Sequence, residues 1–174
     1  QESDFEFGQR GRLLLCRTQR GLEAVGKEAE LMREIGLATR ILDAAGVKAL
    51  DGQVEFDCVG AVYYTQDAHV QPARFVRALA ARASELGAQI NTGTEVLAIE
   101  GRNGHIERVR TTRGDYKAEQ IVLAGGAWSP LLAENLALAL PIQAAKGYSV
   151  GVDRPAACPA IPFMLTEAKV AVTP

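Results

Sequence analysis

Histidine is scarce in this chain, with only His69 and His105 in 174 residues, and cysteine is little commoner, with Cys16, Cys58 and Cys158. No cysteine lies in a C-x-x-C pair and neither histidine has a ligand-spaced partner, so no metal site is expected. The odd cysteine count reads as reduced thiols rather than a disulfide framework. No apolar run approaches the roughly 20 residues that a membrane span requires. Residues Gln1 to Gln9 are polar and have no signal-peptide pattern. Charge of one sign is also missing. The formal net charge is −2 and the lysines and arginines are scattered, which gives no electrostatic footprint for nucleic acid or anionic lipid.

What is present is ordinary for a globular protein, at 48% hydrophobic and 23% charged residues, with length for one sizeable core. The chain begins at Gln1 and stops just after Lys169-Val170-Ala171-Val172, which reads as the start of a strand. An excised piece of a longer protein is therefore expected.

Apolar periodicity gives the elements. Gly11 to Thr18 reads as a strand, and Gln19 to Ile35 as a helix with Leu22, Val25, Ala29 and Met32 on one stripe and Gly36 at its end. Thr39 to Leu42 is a short strand, Asp43 caps a short helix to Leu50, and Gly60 to Thr65 is a further strand. Pro72 opens the clearest helix, with Phe75, Val76, Leu79, Ala83 and Leu86 as its expected buried stripe and Gly87 as its stop. Gln89 to Ile90 and Thr94 to Glu100 follow as strands, the latter with Leu97 and Ile99 on one face and Val96 and Ala98 on the other. Asn103-Gly104 predicts a hairpin into a strand from His105 to Thr112, and Arg113-Gly114-Asp115 a turn into a third strand. Gln120 to Ala124 reads as a buried strand, Pro130 to Leu136 as a short helix and Pro141 to Val152 as a strand. The expected class is mixed α/β (α+β) with a three-stranded antiparallel meander.

Three motifs bear on chemistry. Gly21 to Lys27 has the G-x-x-x-x-G-K spacing of a phosphate loop, but Glu28 stands where Ser or Thr would hold Mg²⁺, and the stretch lies inside a helix pattern. No G-x-G-x-x-G follows a strand, so a pyrophosphate-binding helix start is absent. Ile121-Val122-Leu123-Ala124-Gly125-Gly126-Ala127-Trp128-Ser129 is the most informative stretch. Bare backbone at the carboxyl end of an apolar strand lets a bulky ligand approach, although a tight strand-to-helix turn needs the same residues. Lys146-Gly147-Tyr148-Ser149 sets a lysine and a tyrosine around a glycine, suited either to a ligand or to an ordinary strand surface. His69 reads as a capping or packing residue rather than a base, and His105 as solvated.

Read together, these blocks resemble a family. Asp67-Ala68-His69-Val70-Gln71-Pro72-Ala73-Arg74 is similar to the D-G-x-x-x-P-x-R helix entry of the FAD-dependent D-amino-acid oxidase superfamily, which includes D-amino-acid dehydrogenase, glycine oxidase and sarcosine oxidase. Thr94-Glu95-Val96 with the Gly104 hairpin is similar to its next block, Val122 to Ser129 to its V-x-A-A-G-A-W-S signature, and Leu140 to Ser149 to its L-P-V-x-P-x-K-G-Y-S strand. The last block, with Thr166 to Thr173, is most like the bacterial D-amino-acid dehydrogenase branch. The resemblance implies part of an FAD-binding two-domain oxidoreductase fold without its amino-terminal Rossmann βαβ unit. Residues 1–66 would belong to the substrate (cap) domain, 67–139 to the FAD-binding domain and 140–174 to the substrate domain.

The resemblance further implies that Val96 meets the FAD adenine through its backbone. Ala124, Gly125, Gly126 and Trp128 would lie at the cofactor, and Lys146 and Tyr148 on the substrate side. No catalytic residue is assigned, and the family's carboxylate-gripping arginine would lie after Pro174. The implied reaction converts a D-amino acid to its 2-oxo acid and ammonia, with a quinone or other electron acceptor, in the cytoplasm or peripherally at the inner face of the bacterial membrane. The isolated chain is expected to bind no FAD tightly and to be inactive. Glycine or sarcosine oxidation on the same scaffold stays open, as does a non-catalytic α/β binding module.

Overall fold

The computed structural model describes residues 5–102 and 105–174. Strand β1 (Arg12–Cys16) is the centre of a five-stranded sheet with the order β2-β3-β1-β7-β8. It pairs antiparallel with β3 (Gly60–Tyr64), Leu14 opposite Val62, and parallel with β7 (Phe163–Leu165), Leu14 opposite Met164. The outer strands β2 (Thr39–Asp43) and β8 (Val170–Val172) add antiparallel.

Because side chains alternate along a strand, β1 feeds two cores. Leu13 and Leu15 pack on one face with Val47, Ala61 and Ile161, and Phe56 meets Phe163 edge-on at 5.2 Å. Cys16 faces the opposite side with Val25, Ala29, Val62 and Tyr64. Each fully buried leucine contributes about 1.5–3 kcal/mol.

Helix α1 (Gln19–Glu34) covers the Cys16 face through the predicted stripe: Val25 and Ala29 are buried, with Leu22 and Met32 packed beside them. Thr18 caps it by accepting the Gly21 amide at 3.0 Å. The phosphate-loop spacing falls within this helix. On the other face lies α2 (Ala44–Leu50), whose cap Asp43 accepts the Gly46 amide at 2.7 Å. Gly60 is required where β3 passes β2, since a Cβ there would lie 2.4 Å from the Leu42 carbonyl oxygen.

Helix α3 (Pro72–Glu85) forms as its proline start predicts, with Gln71 accepting the Arg74 amide at 2.9 Å. Its expected burial does not: Phe75, Val76, Leu79 and Leu86 are exposed, and no residue of the helix is buried. The pattern set the helix's amphipathicity, but burial needs an opposing surface, which the described residues do not supply.

The chain divides into two compact units. One comprises the described residues up to Leu86 together with Val152–Pro174, and the other is Gly87–Gly151. The second holds the antiparallel meander β4 (Val96–Arg102), β5 (His105–Thr111) and β6 (Gly114–Tyr116), followed by α4 (Ser129–Ala133) and a 3₁₀ turn from Glu134 to Leu136. The Asn103-Gly104 turn lies outside the described residues. The second turn sits at Thr112-Arg113, one residue earlier than predicted, because Thr111 pairs with Gly114 and its hydroxyl donates to the Gly114 carbonyl at 2.6 Å. A register shift between Val96 and Ala98 breaks the alternation of β4, so Ala98 and Ile99, predicted on opposite faces, are both buried.

Three predicted strands are absent. Gln89–Ile90, Gln120–Ala124 and Pro141–Val152 run without a strand assignment, and Val122, expected to be buried, is 90% exposed. A strand is defined by its partner, and the described residues offer these segments none.

Candidate functional site

The residues expected at the cofactor and on the substrate side, Val96, Ala124, Gly125, Gly126, Trp128, Lys146 and Tyr148, all fall within Gly87–Gly151. Val96 opens β4, one of the two outer strands in the meander order β4-β5-β6. One residue earlier, the Glu95 carbonyl accepts the Thr112 amide at 3.0 Å and the Glu95 amide donates to the Thr112 hydroxyl at 3.1 Å. In an antiparallel ladder hydrogen-bonded and non-bonded pairs alternate. Since the backbone groups of Glu95 point to β5, those of Val96, opposite Thr111, point the other way, to the open edge of the sheet. No strand among the described residues pairs on that edge.

From Ile121 to Gly125 the side chains alternate between half-buried and exposed, the period of an unpaired strand. Gly125 then turns the chain, its carbonyl accepting the Trp128 amide at 3.1 Å. Gly126 has φ +56, which favours glycine, and nothing lies within 4 Å of where its Cβ would be. At Gly125 the only near neighbour is Ser129, whose Oγ would lie 3.3 Å from an added Cβ. Trp128 is 72% exposed. Ser129 is buried and starts α4, which packs on β4, so the glycine turn and the Val96 strand are held by one small scaffold. The backbone at both places is therefore open: an outward amide edge at Val96 and a side-chain-free turn at Gly125-Gly126, each of which suits the approach of a large planar group.

Lys146 and Tyr148 meet each other, the Lys146 Nζ 5.3 Å from the ring centroid, on an extended segment where Tyr148 is 88% exposed. A cavity of about 570 Å³ in the same unit is lined by Arg102, His105, Glu134 and Leu136 among others and includes none of the predicted site residues.

His69 proves to be a packing residue. Its backbone bridges to that of Gly8 in both directions at 2.9 Å, and its Nδ1 is buried with no partner among the described residues. His105 is exposed. Two acidic residues that the sequence did not flag organise the larger unit. Asp51, 2% exposed, accepts the Ala160 and Ile161 amides through Oδ2 at 2.7 and 3.0 Å, with Oδ1 unpaired among the described residues. Glu167 accepts the Arg17 and Thr18 amides through one oxygen. Both join positions far apart in sequence, so no local spacing could announce them. Burial raises the Cys16 thiol pKa, offset in part by the Thr166 hydroxyl, and burial also raises that of Cys58.

The family described as FAD dependent oxidoreductase matches residues 1–173. The chain belongs to that family. It is 32% identical over 151 residues to a D-amino acid dehydrogenase of Sinorhizobium medicae, covering 85% of this chain and 36% of that protein. Among solved structures it is similar to glycine oxidase from Geobacillus kaustophilus, with TM-score 0.71 and 26% identity over 78% of this chain and 36% of that one. It is also similar to L-amino acid deaminase from Proteus myxofaciens, with TM-score 0.68 and 26% identity over 79% of this chain and 32% of that one. It thus spans about a third of the length of these proteins. Among its described residues no helix is long and apolar enough to cross a membrane.

Proposed function

We propose that this chain is part of an FAD-dependent enzyme that oxidises the C–N bond of a D-amino acid, giving the 2-oxo acid and ammonia after water hydrolyses the imino acid. FAD, when bound, supplies the acceptor for the hydride leaving the α-carbon. The residues of this chain hold and orient. The outward backbone of Val96 offers a donor and an acceptor to the adenine. Ala124, Gly125 and Gly126 leave room for the cofactor, with Trp128 beside it, and Lys146 and Tyr148 lie on the substrate side. Residues 67–139 belong with the cofactor in this reading, and residues 1–66 and 140–174 with the substrate. The electron acceptor is a quinone or similar carrier, and the protein is cytoplasmic or attached peripherally to the inner face of the membrane.

The observation that supports this reading most directly is the orientation of Val96, next to Glu95 whose carbonyl is already taken by Thr112. The D-specific substrate class rests on the likeness to D-amino acid dehydrogenases. A second reading, amine oxidation of the glycine or sarcosine type, is favoured by the fold likeness to glycine oxidase.

The test is dye reduction by the full gene product that contains this chain, with D-amino acids, L-amino acids, glycine and sarcosine as substrates. Turnover of D-amino acids is expected. Turnover confined to L-amino acids, glycine or sarcosine would replace the proposed substrate class.

A further inference from the structure

The cavity of about 570 Å³ opens at the far end of β4 from Val96, about 20 Å along the strand. Its volume is of the size that holds a small molecule. Two backbone devices build it. A register shift between Glu100 and Gly101 breaks the alternation of the hairpin, so Gly101 and Arg102 and their partners Ile106 and His105 all border the cavity. On the opposite wall the chain leaves the Glu134–Leu136 turn through Ala137, at φ +55. The Ala137 amide donates to the Glu134 carbonyl at 3.0 Å and the Leu138 amide to the Ala133 carbonyl at 3.1 Å, a closure that fixes the backbone from Glu134 to Leu138. Where turn and hairpin meet there is no side chain on the hairpin: a Cβ at Gly101 would lie 3.5 Å from Leu136 Cδ2.

Charge pairing sets the cavity apart from the rest of the meander. The arginines of β5 find acids, Arg108 at 2.6 Å from Glu100 and 3.0 Å from Asp115, and Arg110 at 3.8 Å from Glu100. Arg102 and Glu134, on facing walls of the cavity, have no ion-pair partner among the described residues.

We propose that this cavity is a second ligand site, which binds a free α-amino acid with an apolar side chain, apart from the residues assigned above to cofactor and substrate. Arg102, with His105 opposite it in the hairpin, donates to the carboxylate. Glu134 accepts from the ammonium group. Ile106, Leu136 and Leu138 give the side chain an apolar surface, and Leu138 is 55% exposed until it is covered. A simple anion would satisfy Arg102 but face the Glu134 carboxylate, and a simple cation would face Arg102. A zwitterion satisfies both. The site stands whether or not the flavoenzyme reading holds, since none of its residues belongs to that reading.

The test is hydrogen exchange of the full gene product with three probes: L-leucine, isocaproate, which lacks the ammonium group, and isoamylamine, which lacks the carboxylate. L-Leucine should slow exchange around Arg102, His105 and Glu134–Leu138, with half its effect at millimolar concentration or below. Isocaproate and isoamylamine should each need about tenfold more. Arg102→Gln and Glu134→Gln, both at exposed positions, should each weaken the leucine effect about tenfold. If a variant fails to fold, the three probes on the wild type still decide. Slowing by leucine that is absent, or confined to other segments, overturns the proposal. Isocaproate or isoamylamine acting as strongly as leucine overturns it too, because a single charge then suffices. Segments already protected without ligand and unmoved by leucine show that another protein surface fills the cavity, which also overturns it. Slowing by leucine in a product that holds no flavin supports this site and fails the flavoenzyme reading instead.

Discussion

Glu167 Oε1 lies 3.1 Å from the backbone nitrogen of Thr18 and accepts its hydrogen. The same oxygen takes the Arg17 amide at 3.0 Å and the Thr18 hydroxyl at 3.0 Å, so a carboxylate from the β7–β8 turn closes the amino end of α1. Partial desolvation pushes its pKa up, but the hydrogen bonds from its own amide, the Thr18 hydroxyl and the Arg17 and Thr18 amides outweigh this and hold it below the usual glutamate value. A carboxylate whose folded pKa is depressed gives stability that is present above its unfolded pKa and lost as pH falls through the folded value. Urea denaturation should therefore show Glu167→Gln slightly less stable than wild type at pH 7, a small effect because the carboxylate is exposed and screened by solvent. The gap should close below the ordinary carboxylate range. An unchanged gap at low pH would show that the charge is not responsible.

Asp51 has a larger expected effect. It is buried and satisfies two backbone amides that lead into β7. Asp51→Ala strands both donors and should cost about 3 kcal/mol. Asp51→Asn keeps one acceptor and should cost less. Chemical denaturation of the three proteins measures the order.

Leu13 and Val122 are both strongly apolar and should respond in opposite ways. Leu13→Ala empties a fully buried site between β3 and β7 and should destabilise by roughly 2–5 kcal/mol. Val122→Ser, at a 90% exposed position, should change the stability of the 174-residue chain by less than about 0.5 kcal/mol. Thermal melts of the two variants provide the comparison.

The backbone of Val96 can be tested with proline, which removes the amide hydrogen. Because this hydrogen is not directed at β5, Val96→Pro should leave the hairpin folded by circular dichroism. In the full gene product it should weaken FAD binding about tenfold, the equivalent of one hydrogen bond. The 174-residue chain should bind FAD no more tightly than millimolar, because no glycine-rich helix start is present to hold the pyrophosphate. Flavin fluorescence titration reads both constants.

Cys16 and Cys58 should react slowly with a disulfide reagent at pH 8 in the native state, since burial raises both thiol pKa values and lowers the reactive thiolate fraction. All three thiols should react fully in guanidinium. Rapid native labelling of Cys16 would contradict the packing around it.

The sequence by itself determined the first three helices and the lineage. The Asp43 cap, the Leu22–Val25–Ala29–Met32 stripe and the Pro72 start are signals carried within a few residues, and each of these helices formed where its signal stood. The ordered blocks from Asp67 to Ser149 carried the flavoenzyme resemblance in the same local way. Only the tertiary structure decided which apolar surfaces are buried. The stripe of α1 is covered because β1 and β3 lie beneath it, whereas the equally amphipathic stripe of α3 and the strand-like run at Ile121–Ala124 remain open. Tertiary folding also chose Asp51 and Glu167, from among many surface-type acids, as the ones that bind distant amides. The physical reason is common to all of these: a hydrophobic face or a carboxylate states what it can bind, but burial and hydrogen bonding need a second surface, and the chain's path alone brings it there.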